Sequence, residues 1–104
     1  MLTEQQVEEL RTQHGRIAHL VGKGGAWEVV LRKPTRAEVK KFRADAHNPA
    51  TAPNAQETLC RAIVVYPPKG PAFEALLDDY PGIPEAFTGQ IQDLIGMSVE
   101  ESGK

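Results

Sequence analysis

Residues 27–43, WEVVLRKPTRAEVKKFR, carry an alternating apolar stretch into a proline, a cap and a basic helix. In an extended chain Trp27, Val29 and Leu31 share one face. Pro34 lacks the N–H that a further ladder bond would need, so the strand stops there. Thr35 followed by Glu38 has capping-box spacing, with Val39 and Phe42 placed behind it for an apolar helix face. A strand, a tight corner and a helix must therefore follow one another in this short span. Nothing in the segment supplies a catalytic constellation.

A chain of 104 residues suits one domain with one modest core. Aromatic side chains are few, so aliphatic residues must provide most of the burial, at about 1.5–3 kcal/mol for each one fully buried. The single cysteine, Cys60, cannot form an internal disulfide, and no signal-peptide pattern opens the chain. No apolar run reaches the roughly 20 residues that span a bilayer. The expectation is a soluble protein of a reducing cytoplasm, with no membrane partner.

The flanking sequence predicts an α+β domain over residues 1–96, in which an N-terminal helix and a β-hairpin precede a compact set of about four short helices. Thr3 and Gln6 form a second capping-box pair, which starts a helix over 4–13 with Gly15 just past its end. Its apolar face is thin, with Leu2, Val7 and Leu10 only. Residues 16–21 and 26–32 read as two strands joined by Gly22-Lys23-Gly24-Gly25, whose glycines accept positive φ. A helix over 36–46 follows, burying Val39, Phe42 and Ala46, and a polar loop over 47–54 ends at Asn54, a candidate cap with Glu57 at the third helical position. That third helix buries Leu59, Ala62 and Ile63. The β-branched run 63–66 is compatible with a strand, but its shortness before Pro67-Pro68 favours the fraying end of the helix. Prolines then open helices over 71–79 and 84–95. Phe73, Leu76, Leu77, Phe87 and Ile91 on these helices read first as core and second as a groove. Residues 97–104 read as an acidic flexible tail.

Charge is segregated along the chain. Residues 16–43 hold eight basic side chains against two carboxylates, whereas nine carboxylates face three basic residues from position 44 onward. Such a chain suits self-association or an oppositely charged partner, although a solvated face with ordinary ion pairs is the plainer reading. His14, His19, His47 and Cys60 fall in no metal-ligand spacing, so no metal or other cofactor is expected. Cys60, beside Leu59 on the third helix and without a neighbouring base, reads as a small buried hydrophobe. The adjacent pairs Asp78-Asp79 and Glu100-Glu101 make no preset acid-base pair. The loop over 22–25 lacks the GxxxxGK[ST] pattern of a phosphate cradle and leads into a strand, which makes it a hairpin turn. Basic residues on one helix are compatible with phosphate binding, but the slightly acidic whole and the lack of stacking aromatics argue against nucleic acid.

The order of segments TEQQVEEL, HGRIAHLVGKGGAWEVVLRKPTRAEVKKFRADA, ETLCRAIVVYPP and YPGIPEAFTGQIQDLIG resembles that of small tail assembly chaperone-like proteins of tailed bacteriophages. The resemblance spans most of residues 3–96. It is most specific at Leu31-Arg32-Lys33-Pro34-Thr35-Arg36, at the helix bearing Cys60, and at Tyr80-Pro81-Gly82. It implies a non-enzymatic helper in the host cytoplasm that coats the long tape measure protein and keeps its apolar helices soluble during tail assembly. The family supplies no catalytic motif to carry over. From the local reading, the candidate partner-binding residues are Arg32, Arg36, Lys40 and Arg43 as a charged face, with Trp27 and Phe42 as anchors. Two alternatives stand beside it: a small virion structural or head-tail connector component, and a small nucleic-acid-binding regulatory protein.

Overall fold

The structure, a computed structural model, describes residues 1–96; the acidic tail expected over 97–104 lies outside the described residues. It is a mixed α and β domain. Helix α1 (Glu4–His14) is followed by strands β1 (Ile17–Val21) and β2 (Glu28–Arg32), helices α2 (Arg36–His47) and α3 (Ala55–Ile63), strand β3 (Val64–Tyr66), and helices α4 (Pro71–Asp79), α5 (Ile83–Ala86) and α6 (Thr88–Leu94). The antiparallel sheet has the order β1-β2-β3, so β2 is central.

Local chemistry explains where the elements begin. At α1 the Gln6 amide donates to the Thr3 hydroxyl at 3.1 Å and the Thr3 amide donates to the Gln6 side chain at 2.8 Å. Gly15 closes the helix at φ 77°, a conformation open to glycine at little steric cost. No side chain of α1 is buried, as its thin apolar face requires. The chain just ahead of this helix is bonded to the sheet: the Leu2 amide donates to one oxygen of Glu28 at 2.9 Å, and His19 of β1 meets the other at 2.7 Å.

The hairpin pairs Ile17 with Arg32 and Val21 with Glu28. Its turn is a short 3-10 segment, Lys23–Gly25, in which Gly24 and Gly25 have positive φ. Trp27 leaves this turn and lays its indole on Gly22, so closely that a Cβ built there would stand 2.4 Å from the ring nitrogen.

Four expectations are corrected. Ala46 of α2 is exposed and not buried, because α2 reaches the core cluster through Phe42, one turn earlier. The run after Ile63 is a strand, not a fraying helix end: Val64 turns to φ −67°, ψ 133°, and β3 pairs with β2 through Val30↔Tyr66 and Leu31↔Val64. Without β3, β2 would bury unpaired backbone groups on that edge, a cost that outweighs the shortness of the run. The helix expected over 84–95 divides at Phe87, where the amide bonds back to the Pro84 carbonyl at 3.3 Å in the tighter 3-10 manner, and the ring is fully buried. Asn54 precedes α3 but contributes no side-chain cap, because the 3-10 turn Ala52–Asn54 already leads the backbone into the helix.

The core lies between the sheet and α3, α4 and α5. Val29 and Leu31 meet Leu59, Cys60, Ile63, Phe73, Ile83 and Phe87, and Trp27, Phe42, Leu76 and Ile91 pack against this cluster half-buried. Val29, Val30 and Leu31 are all fully buried, so β2 is covered on both faces.

Replacing Gly22 with alanine should drive the Trp27 indole off the hairpin. The expected outcome is a red-shifted tryptophan emission with a loss of about 1–3 kcal/mol in urea unfolding; unchanged emission and midpoint would contradict this packing.

Candidate functional site

Arg32 ends β2 and points back into the fold. Its guanidinium donates to both oxygens of Glu38, at 2.8 and 2.7 Å, and to the carbonyl of Ala62 in the last turn of α3 at 3.0 Å. Glu38 in turn accepts from the Thr35 amide at 2.9 Å, while its own amide donates to the Thr35 hydroxyl at 3.2 Å. One carboxylate thus closes the cap of α2 and holds the end of β2. The Arg32 hydrogen bonds lower the Glu38 carboxyl from its ordinary value near 4.5 to about 2.

With α2 oriented in this way, its charges divide into two edges. The inner edge faces α3: Glu38, Lys41 and Asp45 border a small depression of about 90 Å³ with Ala55, Thr58 and Ala62, and Lys41 pairs with Asp45 at 2.7 Å. The outer edge carries Arg36, Lys40 and Arg43, which fall on one stripe at helical spacing and are all exposed. No hydrogen bond or ion pair engages the side chain of any of the three among the described residues; the Arg43 carbonyl meets His47 Nδ1 at 2.7 Å.

Between the edges, Val39 and Phe42 form one wall of an apolar groove. Its floor is Leu59 of α3, its far wall is Thr88, Ile91 and Gln92 of α6 with Pro84 and Ile95, and its cavity measures about 140 Å³. Gln56 donates to the Thr88 hydroxyl at 2.9 Å and so ties α3 to α6 across the groove. Val39, Phe42, Ile91 and Ile95 are half-buried, which leaves apolar surface without full cover.

The residues singled out in the sequence are distributed as follows. Phe42 lines the groove, and Arg36, Lys40 and Arg43 stand on its α2 side. Trp27 is elsewhere, in an open cleft shared with Tyr66, Pro67, Ala72 and Leu76. Arg32 is engaged inside the fold. Of the apolar residues read as core or groove, Phe73, Leu77 and Phe87 are buried, Leu76 joins the Trp27 cleft, and Ile91 reaches the groove. Sequence reasoning missed Val39, Leu59, Thr88 and Ile95 as groove residues, Val39 being read as buried helix face; the local signals were the apolar spacing of Val39 with Phe42 and of Ile91 with Ile95.

Cys60 is fully buried, and burial, with Glu57 and Glu85 nearby, pushes its thiol up to about 12, so it stays protonated near neutral pH. Arg61 bonds Glu74 at 2.6 and 3.0 Å and also meets Glu57, linking α3 to α4. Among the described residues no group of three His, Cys, Asp or Glu side chains stands ready to hold a metal ion, and no helix is long and apolar enough to cross a membrane.

No protein-family model and no curated protein matches the chain. A solved structure of an uncharacterised protein, rbstp2171, from Bacillus stearothermophilus is similar in fold, with a TM-score of 0.71 at 17% identity. The match covers 94% of this chain and 99% of that one. At that identity the likeness is one of fold.

Two outcomes follow. Because the folded Glu38 carboxyl lies below its unfolded value, its contribution to stability is complete above about pH 4.5 and is lost as pH falls toward 2. Unfolding free energies from urea titrations between pH 6 and pH 2.5 should therefore fall by about 2–3 kcal/mol more in the wild type than in Glu38→Gln; parallel curves would contradict the assignment. Arg32→Ala should cost about 2–4 kcal/mol, whereas Arg36→Ala, Lys40→Ala and Arg43→Ala should each stay within about 0.5 kcal/mol.

Proposed function

We propose that this protein is a non-catalytic binding protein that holds amphipathic helices of a larger partner in the groove between α2 and α6, and that it acts as a tail assembly chaperone for a bacteriophage tape measure protein in the host cytoplasm. The observation that carries this reading is the groove itself: half-buried Val39, Phe42, Ile91 and Ile95 above Leu59, with no described segment of the chain filling it. Helix-in-groove binding needs an apolar trough that takes side chains at i, i+3 and i+4, and a rim that keeps the free protein dispersed. Val39 and Phe42 stand on one wall, and Ile91 and Ile95 stand on the other. The resemblance over residues 3–96 narrows the partner to a tape measure protein, a long helical chain that many short, weak contacts would keep in solution.

Co-expression tests the proposal directly. A tape measure protein that pellets when made alone should appear in the supernatant with several copies of this chain bound, by size-exclusion chromatography with light scattering. Val39→Asp should return the partner to the pellet while leaving the chain folded by circular dichroism. A partner equally insoluble with and without this chain, or this chain found as a stoichiometric part of purified particles, would move the assignment to a virion component.

A further inference from the structure

We propose that the groove selects helices bearing carboxylates along one flank of their apolar stripe, repeated at i, i+4 and i+7 to match Arg36, Lys40 and Arg43. This inference rests on the groove reading above and adds the charge chemistry of the partner. The two walls of the groove differ in charge. Beside Val39 on the α2 side run three exposed cations with no partner among the described residues, whereas the α6 wall offers the uncharged Thr88 and Gln92. On the opposite edge of α2 the charges are already used, in the Lys41–Asp45 and Arg32–Glu38 pairs. Along α2, the cationic side chains without a partner among the described residues therefore lie on the Val39 side.

Their spacing sets the register. Positions i, i+4 and i+7 form one stripe about 10 Å long on a helix. A partner helix lying along α2 meets that stripe with one flank only; its other flank passes over Thr88 and Gln92. An apolar stripe with acids on both flanks gains little more than one with acids on a single flank, and basic residues on the α2 flank are repelled.

Two fluorescein-labelled helical peptides of equal length and identical apolar stripe, one with Glu and one with Lys at i, i+4 and i+7 of the same flank, separate the possibilities by anisotropy with the full chain. At 50 mM salt the Glu peptide should bind about tenfold tighter than the Lys peptide, and at 500 mM the difference should shrink to about threefold or less. The triple variant Arg36→Glu, Lys40→Glu, Arg43→Glu, whose positions are exposed and unpaired, should reverse the order without changing the unfolding midpoint by much. If both peptides bind alike and Val39→Asp abolishes both, the charge selection is overturned while the groove reading stands. If Val39→Asp leaves both affinities unchanged, the groove reading fails and this inference with it. A chain that sediments as a dimer at working concentration, and becomes monomeric on Val39→Asp, would give the groove to a second copy and overturn the proposal.

Discussion

Arg32 is the joint on which the rest of this fold turns. It lies where the central strand ends, and its planar fork reaches both oxygens of Glu38 and the last-turn carbonyl of Ala62. A guanidinium can do this because its donors lie in one plane with fixed spacing; the three donors of a lysine radiate from one nitrogen and cannot reproduce that fork. The start of α2, the end of α3 and the end of β2 are therefore held at one point. The polar joint is only partly buried, which keeps its desolvation cost small relative to its charge-assisted bonds.

The orientation of α2 follows from that joint, and the groove follows from the orientation. With Glu38 turned toward Arg32, Val39 and Phe42 are carried to the side facing α6, and Arg36, Lys40 and Arg43 are carried outward. Leu59 closes the floor because α3 is fixed by the same guanidinium at its end. The far wall depends on the break at Phe87, whose buried ring separates α5 from α6 and lets Thr88 bond Gln56. The groove is thus a by-product of two local events far apart in sequence.

Much of this was legible from residues near one another. The capping boxes at Thr3 and Thr35, the glycine turn of the hairpin and the proline at the head of α4 each depend on contacts within a few positions, and each stands where the sequence places it. The errors came from distant partners. The strand after Ile63 exists because β2 has an open edge more than thirty residues upstream, and the division at Phe87 exists because a core cavity accepts the ring. The same holds for the site. Phe42 and the outer cations are legible from helical spacing, whereas Arg32 is set apart from those cations by an acceptor thirty residues away, the Ala62 carbonyl. Trp27 looked like an anchor beside Phe42 because both are large and apolar; the hairpin turn places them in different depressions.

We propose that a helical partner sits in the trough between α2 and α6. That placement is tested most directly by amide and methyl chemical-shift mapping of the labelled chain titrated with a helical tape measure fragment. The account predicts that shifts concentrate at Val39, Phe42, Leu59, Thr88 and Ile91 while the Trp27 indole stays in place. Shifts gathered instead around Trp27, Tyr66 and Leu76, with Val39 and Ile91 unmoved, would contradict it.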